Sequence, residues 1–208
     1  MTLTTATLLN WLRHAAALIH DQRDHLTALD AAIGDADHGA NLDRGFAAVV
    51  DTLPTLAALD AGAILKSAGM RLISTVGGAS GPLYGTAFRR MGKALEGRLE
   101  LSGAELADGL AAFVEGIVTM GKAAPGDKTM LDALGPALAA LREGLDQGEP
   151  IGPAVLRAAE AARAGAEATI PLVARRGRAS YLGERSAGHK DPGATSAALI
   201  LQALADVV

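Results

Sequence analysis

The sequence contains no cysteine, which removes disulfides, zinc thiolates and thiol nucleophiles from consideration. Aromatic residues make up only 3% of 208 positions, too few for the aromatic-rich strands of a β-sandwich. The core must therefore come from alanine and leucine on close-packed helices. There is no surplus of basic residues; the net charge is −4, and sequence-independent nucleic-acid binding through a basic face is excluded. No basic segment precedes an apolar run at the N-terminus, and no apolar stretch reaches bilayer length, so neither a secretory signal nor a membrane span is expected. These absences fit a cytoplasmic protein. Half of the residues are apolar and 20% are charged, a balance that folds, and the length suits one domain over residues 1–208.

Helical periodicity runs through most of the chain. Leu8, Leu12, Ala15, Ala16 and Ile19 recur at helical spacing from Thr4 or Thr5 to about His20, and Leu26, Leu29 and Ile33 continue the pattern as far as Gly34. Further stripes end before Pro54, run through Ile64 to Val76, and cover about Leu83 to Leu95. Ser102 and Glu105 form a capping-box signature ahead of Leu106, Leu110 and Phe113. Leu131 to Leu145, Pro153 to Val173 and Gly193 to Val208 complete about eight helices, with no convincing strand. Glycines and polar residues gather in four interruptions, at 34–41, 77–81, 121–130 and 177–193. In an up-and-down bundle alternate loops share one end, so these four are expected to meet at one pole.

The sharpest chemical signal is Asp30 followed by Asp35 and Asp37 inside Gly34–Asn41. Three carboxylates so close repel one another unless a cation lies between them, and carboxylate oxygens suit hard cations. Taken singly, each aspartate reads as a helix cap, Asp37 above all. The run together reads as a metal site. Calcium of the EF-hand kind does not fit, because Gly39 takes a ligand position and Phe46 stands where the bidentate glutamate belongs. Magnesium does, since it keeps coordination positions open for water and phosphate oxygens.

Gly77–Gly81 can present backbone N–H groups and Ser80 to phosphate, although an ordinary turn has the same composition. Gly126-Asp127-Lys128-Thr129-Met130 reads as a turn with Asp127 as the cap of the next helix. Arg178, Arg185 and Lys190 set cations among glycines, as polyphosphate binding requires, or else form a solvated surface loop. Gly116–Ala123 nearly matches a P-loop, but Ala123 lacks the metal-binding hydroxyl and no strand precedes it. A dinucleotide fingerprint fails for want of a strand too.

Together and in this order, the aspartate run 30–41, the Gly77–Gly85 loop, Gly126–Asp132 and Arg178–Ser196 resemble the nucleotide-binding L subunits of dihydroxyacetone kinases, over essentially the whole chain. Ala36 departs from the glycine that many relatives carry. The resemblance implies an all-α, eight-helix up-and-down barrel with nucleotide at one end. It implies that Asp30, Asp35 and Asp37 hold two magnesium ions bridging the phosphates of ADP or ATP, with no catalytic residue beyond that metal site. His38, Gly39, Ala40 and Asn41 would border the nucleotide, and Ala79 and Ser80 would contact phosphate. Gly121 and Met130 would pack around the adenine, and Arg178, Asp191, Pro192 and Gly193 would close the site. The implied partners are a dihydroxyacetone-binding K subunit and a phosphohistidine-carrying M subunit, with a transcriptional regulator as a further partner. Three alternatives stand beside this reading: an ATP-consuming subunit for another small sugar or polyol, a nucleotide-state-dependent regulator, and a helical scaffold whose acidic turn is merely capped.

Overall fold

A computed structural model of the chain describes residues 2–208. The Thr4 hydroxyl accepts the Thr7 N–H at 3.2 Å and opens α1 (Thr5–Asp21), whose Leu8, Leu12, Ala15 and Ile19 are buried. The first helix ends at Asp21, close to the expected His20, and the apolar pattern that continues to Gly34 belongs to a separate helix, α2 (Arg23–Ile33), after Gln22. Periodicity cannot register a change of direction confined to one residue. There follow α3 (His38–Thr52), α4 (Ala61–Thr75), α5 (Ser80–Ala94), α6 (Gly103–Gly121), α7 (Leu131–Asp146), α8 (Ile151–Ala168) and α9 (Pro192–Ala205).

In the order α1, α3, α4, α5, α6, α7, α8, α9, each helix packs on the next, and α9 returns to α1. That closes the eight-membered barrel expected from the sequence. The ninth helix, α2, lies outside the ring against α3 and α9. Every aromatic side chain but Tyr181 sits in the interior. Phe88 meets Phe113 edge to face at 5.1 Å and Trp11 at 5.8 Å, and the Trp11 indole N–H donates to the Ile200 carbonyl at 2.8 Å. A chain so poor in aromatics spends them at the centre of the barrel, and alanines and leucines fill the walls.

Three local expectations change. Gly77–Pro82, read as a loop, is helical from Ser80 onward. Pro82 falls in the first turn of α5, where N–H groups have no helical acceptor and proline forfeits nothing. Two short strands also exist: β1 (Leu3–Thr4) pairs antiparallel with β2 (Glu100–Leu101), latching the N-terminus to the α5–α6 connector. The helix expected to end at Val173 stops at Ala168. The capping box is present as read: Ser102 accepts the Glu105 N–H at 3.3 Å, and Glu105 accepts the Ser102 N–H at 2.9 Å. The Ser102 N–H and, at 2.8 Å, the Ser102 hydroxyl both donate to the Glu105 carboxylate and hold it below its usual range.

The antiparallel α4–α5 pair touches backbone to backbone at two places. A Cβ added at Gly69 would lie 2.6 Å from the Gly85 carbonyl oxygen, and one added at Gly62 would lie 2.6 Å from that of Gly92. A methyl group there has no room, and the obstacle is main chain, which cannot swing away. Gly69→Ala is therefore expected to destabilise the fold by about 1–3 kcal/mol. Urea unfolding of the variant against wild type measures it, and an unchanged midpoint would contradict this packing.

Candidate functional site

The connectors after α2, α4, α6 and α8 all open at one pole, opposite the β1–β2 latch, and line one cleft of about 1060 Å³ including its open mouth. Its walls carry Asp30, Asp35, Asp37 and His38 from the α2–α3 turn, and Gly77 to Ser80 from the α4–α5 turn. Gly121, Lys128, Thr129 and Met130 come from the α6–α7 turn, and Arg176 to Ala179 with Asp191 to Gly193 from the long α8–α9 connector. The meeting of four interruptions at one pole is thus realised.

The acidic corner is built around Asp30, in the last turn of α2. Its Oδ2 accepts the backbone N–H groups of Asp37 at 2.9 Å and His38 at 3.2 Å. The chain between them folds back through Ala36, which holds a left-handed φ of 62°. That conformation costs an L-residue about 1–2 kcal/mol and is free for glycine. A Cβ at Gly34 would lie 2.0 Å from Asp30 Oδ1, so only glycine leaves room for that carboxylate. Asp37 occupies the N-cap position of α3, yet its side chain makes no capping hydrogen bond. The capping reading of Asp37 is set aside by that, and its carboxylate remains available. One oxygen each from Asp30, Asp35 and Asp37 lie within 4.8 Å of one another, from a buried, an exposed and a half-buried residue. Three convergent carboxylates, among them Asp37 with no capping hydrogen bond, fit a hard divalent cation. Arg178 faces the same corner, its Nε 2.9 Å from Asp35 Oδ2. A small apolar cluster of Ile33, Ala174 and Ala179, with Leu182 against it, seats the connector's 3₁₀ segment, residues Arg178–Ser186, on the end of α2.

A buried polar network joins this corner to the glycine turn. His38 Nδ1 lies 3.1 Å from Ser80 Oγ and Nε2 lies 2.9 Å from Ser196 Oγ; Ser196 also meets the Tyr84 hydroxyl at 2.7 Å and the Gly193 carbonyl at 3.0 Å. One assignment satisfies all of these groups. Ser196 donates to Gly193 and accepts from Tyr84 and His38 Nε2–H, and Ser80 donates to His38 Nδ1. It requires a neutral imidazole, and burial pulls the His38 pKa down in agreement. Ser80 and Gly81 then offer an incoming anion their N–H groups at the start of α5, where Ala79 provides no side-chain cap and the helix end is positive.

Of the remaining expected residues, Gly121, Met130, Asp191, Pro192 and Gly193 line the cleft, whereas Gly39, Ala40 and Asn41 do not. Gly39 packs on the backbone of α2, Ala40 faces outward, and Asn41 is buried, accepts from Arg44 at 2.7 Å and supports Gly77 from behind. Asp127 does not cap α7; it accepts the Ala124 N–H at 2.8 Å within its own turn. Sequence reasoning passed over Lys128, which is buried in the wall. Its only signal was a charged residue inside a turn, and turns are ordinarily solvated.

Asp191 caps α9 by accepting the Ala194 N–H at 2.7 Å. Burial raises its pKa from 3.8 to about 7, against the opposing pull of that hydrogen bond and of Lys128.

An α-helical barrel with an acidic, glycine-edged cleft at one pole defines a class of protein equipped to hold a phosphate ester together with a divalent cation. Residues 32–206 match the DAK2 domain, and the chain belongs to that family. It is 46% identical to the ADP-binding subunit DhaL of the PEP-dependent dihydroxyacetone kinase of Escherichia coli (strain K12), over 99% of this chain and 98% of that one. It is 40% identical to the ADP-binding subunit DhaL of the PTS-dependent dihydroxyacetone kinase of Lactococcus lactis, over 99% of each. Among solved structures, the dihydroxyacetone kinase of C. freundii in complex with AMP-PNP and Mg2+ superposes with a TM-score of 0.71 at 30% identity. The match covers 99% of this chain and 34% of that one.

Two outcomes are expected from this geometry. Ala36→Gly relieves the left-handed residue and raises stability by about 1 kcal/mol in urea unfolding. Asp191 supplies a pH effect. Between pH 3.8 and about 7 the folded chain keeps a proton that the unfolded chain releases, so stability from this group falls as pH rises through that window. Asp191→Asn keeps the cap and removes the titration. Its unfolding free energy, measured without divalent metal, should fall less than that of wild type between pH 4 and pH 7.5.

Proposed function

We propose that this chain is the ADP-binding phosphotransfer subunit of a PEP-dependent dihydroxyacetone kinase. The observation that carries the reading is the free carboxylate of Asp37 beside Asp30 and Asp35, facing the exposed N-terminus of α5 across the same cleft. The arrangement gives a cation on one side of a diphosphate and amide donors on the other. Identities of 40–46% to ADP-binding subunits, over nearly their full lengths, support it.

The phosphoryl group passes from a phosphohistidine on an M subunit to ADP in the cleft, and from there to dihydroxyacetone on a separate K subunit. Magnesium, when held by Asp30, Asp35 and Asp37 as two ions, supplies neutralisation of the phosphate oxygens. The chain's own residues position. Asp30 holds the acidic turn in shape through the Asp37 and His38 N–H groups. Ser80 and Gly81 offer amides to the phosphates, with Ala79 at the edge of the cleft. Arg178 adds a cation at the mouth, beside Asp35. Met130 and Gly121 offer an apolar wall suited to adenine, and Pro192 and Gly193 close the site beside Met130. His38 acts as a neutral brace between Ser80 and Ser196, while Gly39, Ala40 and Asn41 shape the α3 start behind it. Among the described residues no helix is long and apolar enough to cross a membrane, which accords with a cytoplasmic role. A transcriptional regulator that senses the nucleotide state is a further partner in this reading.

The test is calorimetric titration with ADP and magnesium, together with mass analysis of whatever nucleotide co-purifies. Asp37→Asn should lower magnesium-dependent ADP affinity by 10-fold or more, on the order expected for losing a charged metal ligand, with its helical circular dichroism unchanged. Wild-type protein that binds no ADP in the presence of magnesium would refute the reading.

A further inference from the structure

Lys128 combines two costs in one residue. Its backbone takes a left-handed φ of 61°, and its ammonium lies in a residue only 1% exposed. No carboxylate lies within ion-pair distance of it among the described residues. The ammonium donates instead to three backbone carbonyls: Thr169 at 2.7 Å, Ile170 at 3.4 Å and His189. An ammonium has three N–H donors, and all are used, so Lys128 has none to give a phosphate although it lines the cleft.

Those carbonyls belong to the two ends of one segment. Thr169 and Ile170 begin the α8–α9 connector, and His189 nearly ends it. The neck is drawn together further by Gly188 N–H to the Ile170 carbonyl at 2.7 Å and Asp191 N–H to the Thr169 hydroxyl at 2.9 Å. Between the ends lies Arg178, and just beyond them lie Asp191 to Gly193. The turn that carries Lys128 is itself fixed, with Asp132 accepting the Gly126 N–H at 2.5 Å and the Thr129 N–H at 2.7 Å. The Asp127 carbonyl also accepts the Arg175 N–H at 3.0 Å.

We infer that Lys128 is a positioning residue for nucleotide binding: its buried ammonium pins both ends of the α8–α9 connector to the α6–α7 turn, so that Arg178 and the Asp191–Gly193 edge are held in place before ligand arrives. This rests on the nucleotide-binding reading above. A connector of this length, untethered, would lose conformational entropy at the moment of binding, and the tether takes that loss during folding. Desolvation draws the Lys128 pKa below the ordinary lysine range, while the Asp191 and Asp132 charges oppose it.

The experiment combines a double-mutant cycle with hydrogen exchange. Wild type, Lys128→Met, Arg178→Ala and the double variant are titrated calorimetrically with ADP and magnesium. Amide exchange is followed without nucleotide across residues 170–190. Lys128→Met should weaken ADP binding by about 10–100-fold, as outer-shell substitutions do, and speed exchange in the connector while the α1 and α9 core amides keep their protection. The double variant should bind better than the product of the two single losses implies, because one loss acts through the other. Losses that multiply, or unchanged affinity in Lys128→Met, would overturn the inference. If wild type binds no ADP, the proposed function fails, and the exchange of residues 170–190 alone then decides whether the tether exists. Lys128→Gln keeps two donors and serves if the methionine variant does not fold; loss of the helical fold in both would make Lys128 a residue of general stability and overturn its positioning role.

Discussion

The carboxylate of Asp30 accepts the N–H groups of Asp37 and His38, and through those two hydrogen bonds the end of α2 is joined to the start of α3. The rest of the pole is arranged around that joint. It forces the intervening residues into a tight reversal, which places Ala36 in the left-handed region and brings Asp35 and Asp37 toward Asp30. It also sets the direction of α3 and therefore the position of His38, whose ring braces Ser80 on one side and Ser196 on the other. A hydrogen bond to a charged acceptor is among the stronger ones a protein makes, and two on one oxygen fix its geometry. The acid that defines the corner is thus structural through one oxygen and available through the other.

The chain's first-order organisation was readable because it follows from composition and period. Scarce aromatics and abundant alanine required helices, and the stripes located eight ring members. The glycine-rich interruptions fell at alternate connectors, which an up-and-down path must bring to one end. The convergence of the aspartate run was readable because Gly34 and Gly39 permit a turn that brings Asp35 and Asp37 together beside Asp30. Other features depend on what lies across the barrel, which one-dimensional spacing does not encode. The close approach of Gly62 to Gly92 and of Gly69 to Gly85 exists only because α5 lies against α4. Ser80 looked like a loop residue because Gly81 and Pro82 follow it, yet both are tolerated where a helix begins. The three-fold carbonyl cage of Lys128 joins residues 41 and 61 positions away, beyond any local pattern.

Charge at the pole is managed by position. Asp30 is neutralised in part by main-chain N–H groups and Asp35 by the Arg178 guanidinium. Burial shifts Asp191 toward its neutral form. Asp37, half-buried and released from capping, has neither of the first two provisions. An acidic cluster that a cation was never meant to fill would be expected to pair every member internally, since unrelieved repulsion destabilises the fold. Leaving one carboxylate without a partner, beside two that are only partly offset, keeps net negative charge where a hard cation can use it.

The barrel and its long connector divide the work. Ring helices packed to backbone contact, as α4 and α5 are, give a rim that cannot shift by small increments, so the Asp30 corner and the α5 amides stand at a fixed separation across the cleft. The α8–α9 connector has no such packing; its apolar anchorage is limited to Ile33, Ala174, Ala179 and Leu182. Arg178 therefore sits on the one wall of the cleft that helix packing does not hold. A guanidinium on a loose segment offers little to a phosphate, because ordering the segment consumes the gain. The polar neck, with a buried ammonium at its centre and hydrogen bonds on either side, substitutes for the missing core. It spends electrostatic free energy within the fold to give a mobile class of structure the fixed geometry that phosphoryl transfer requires.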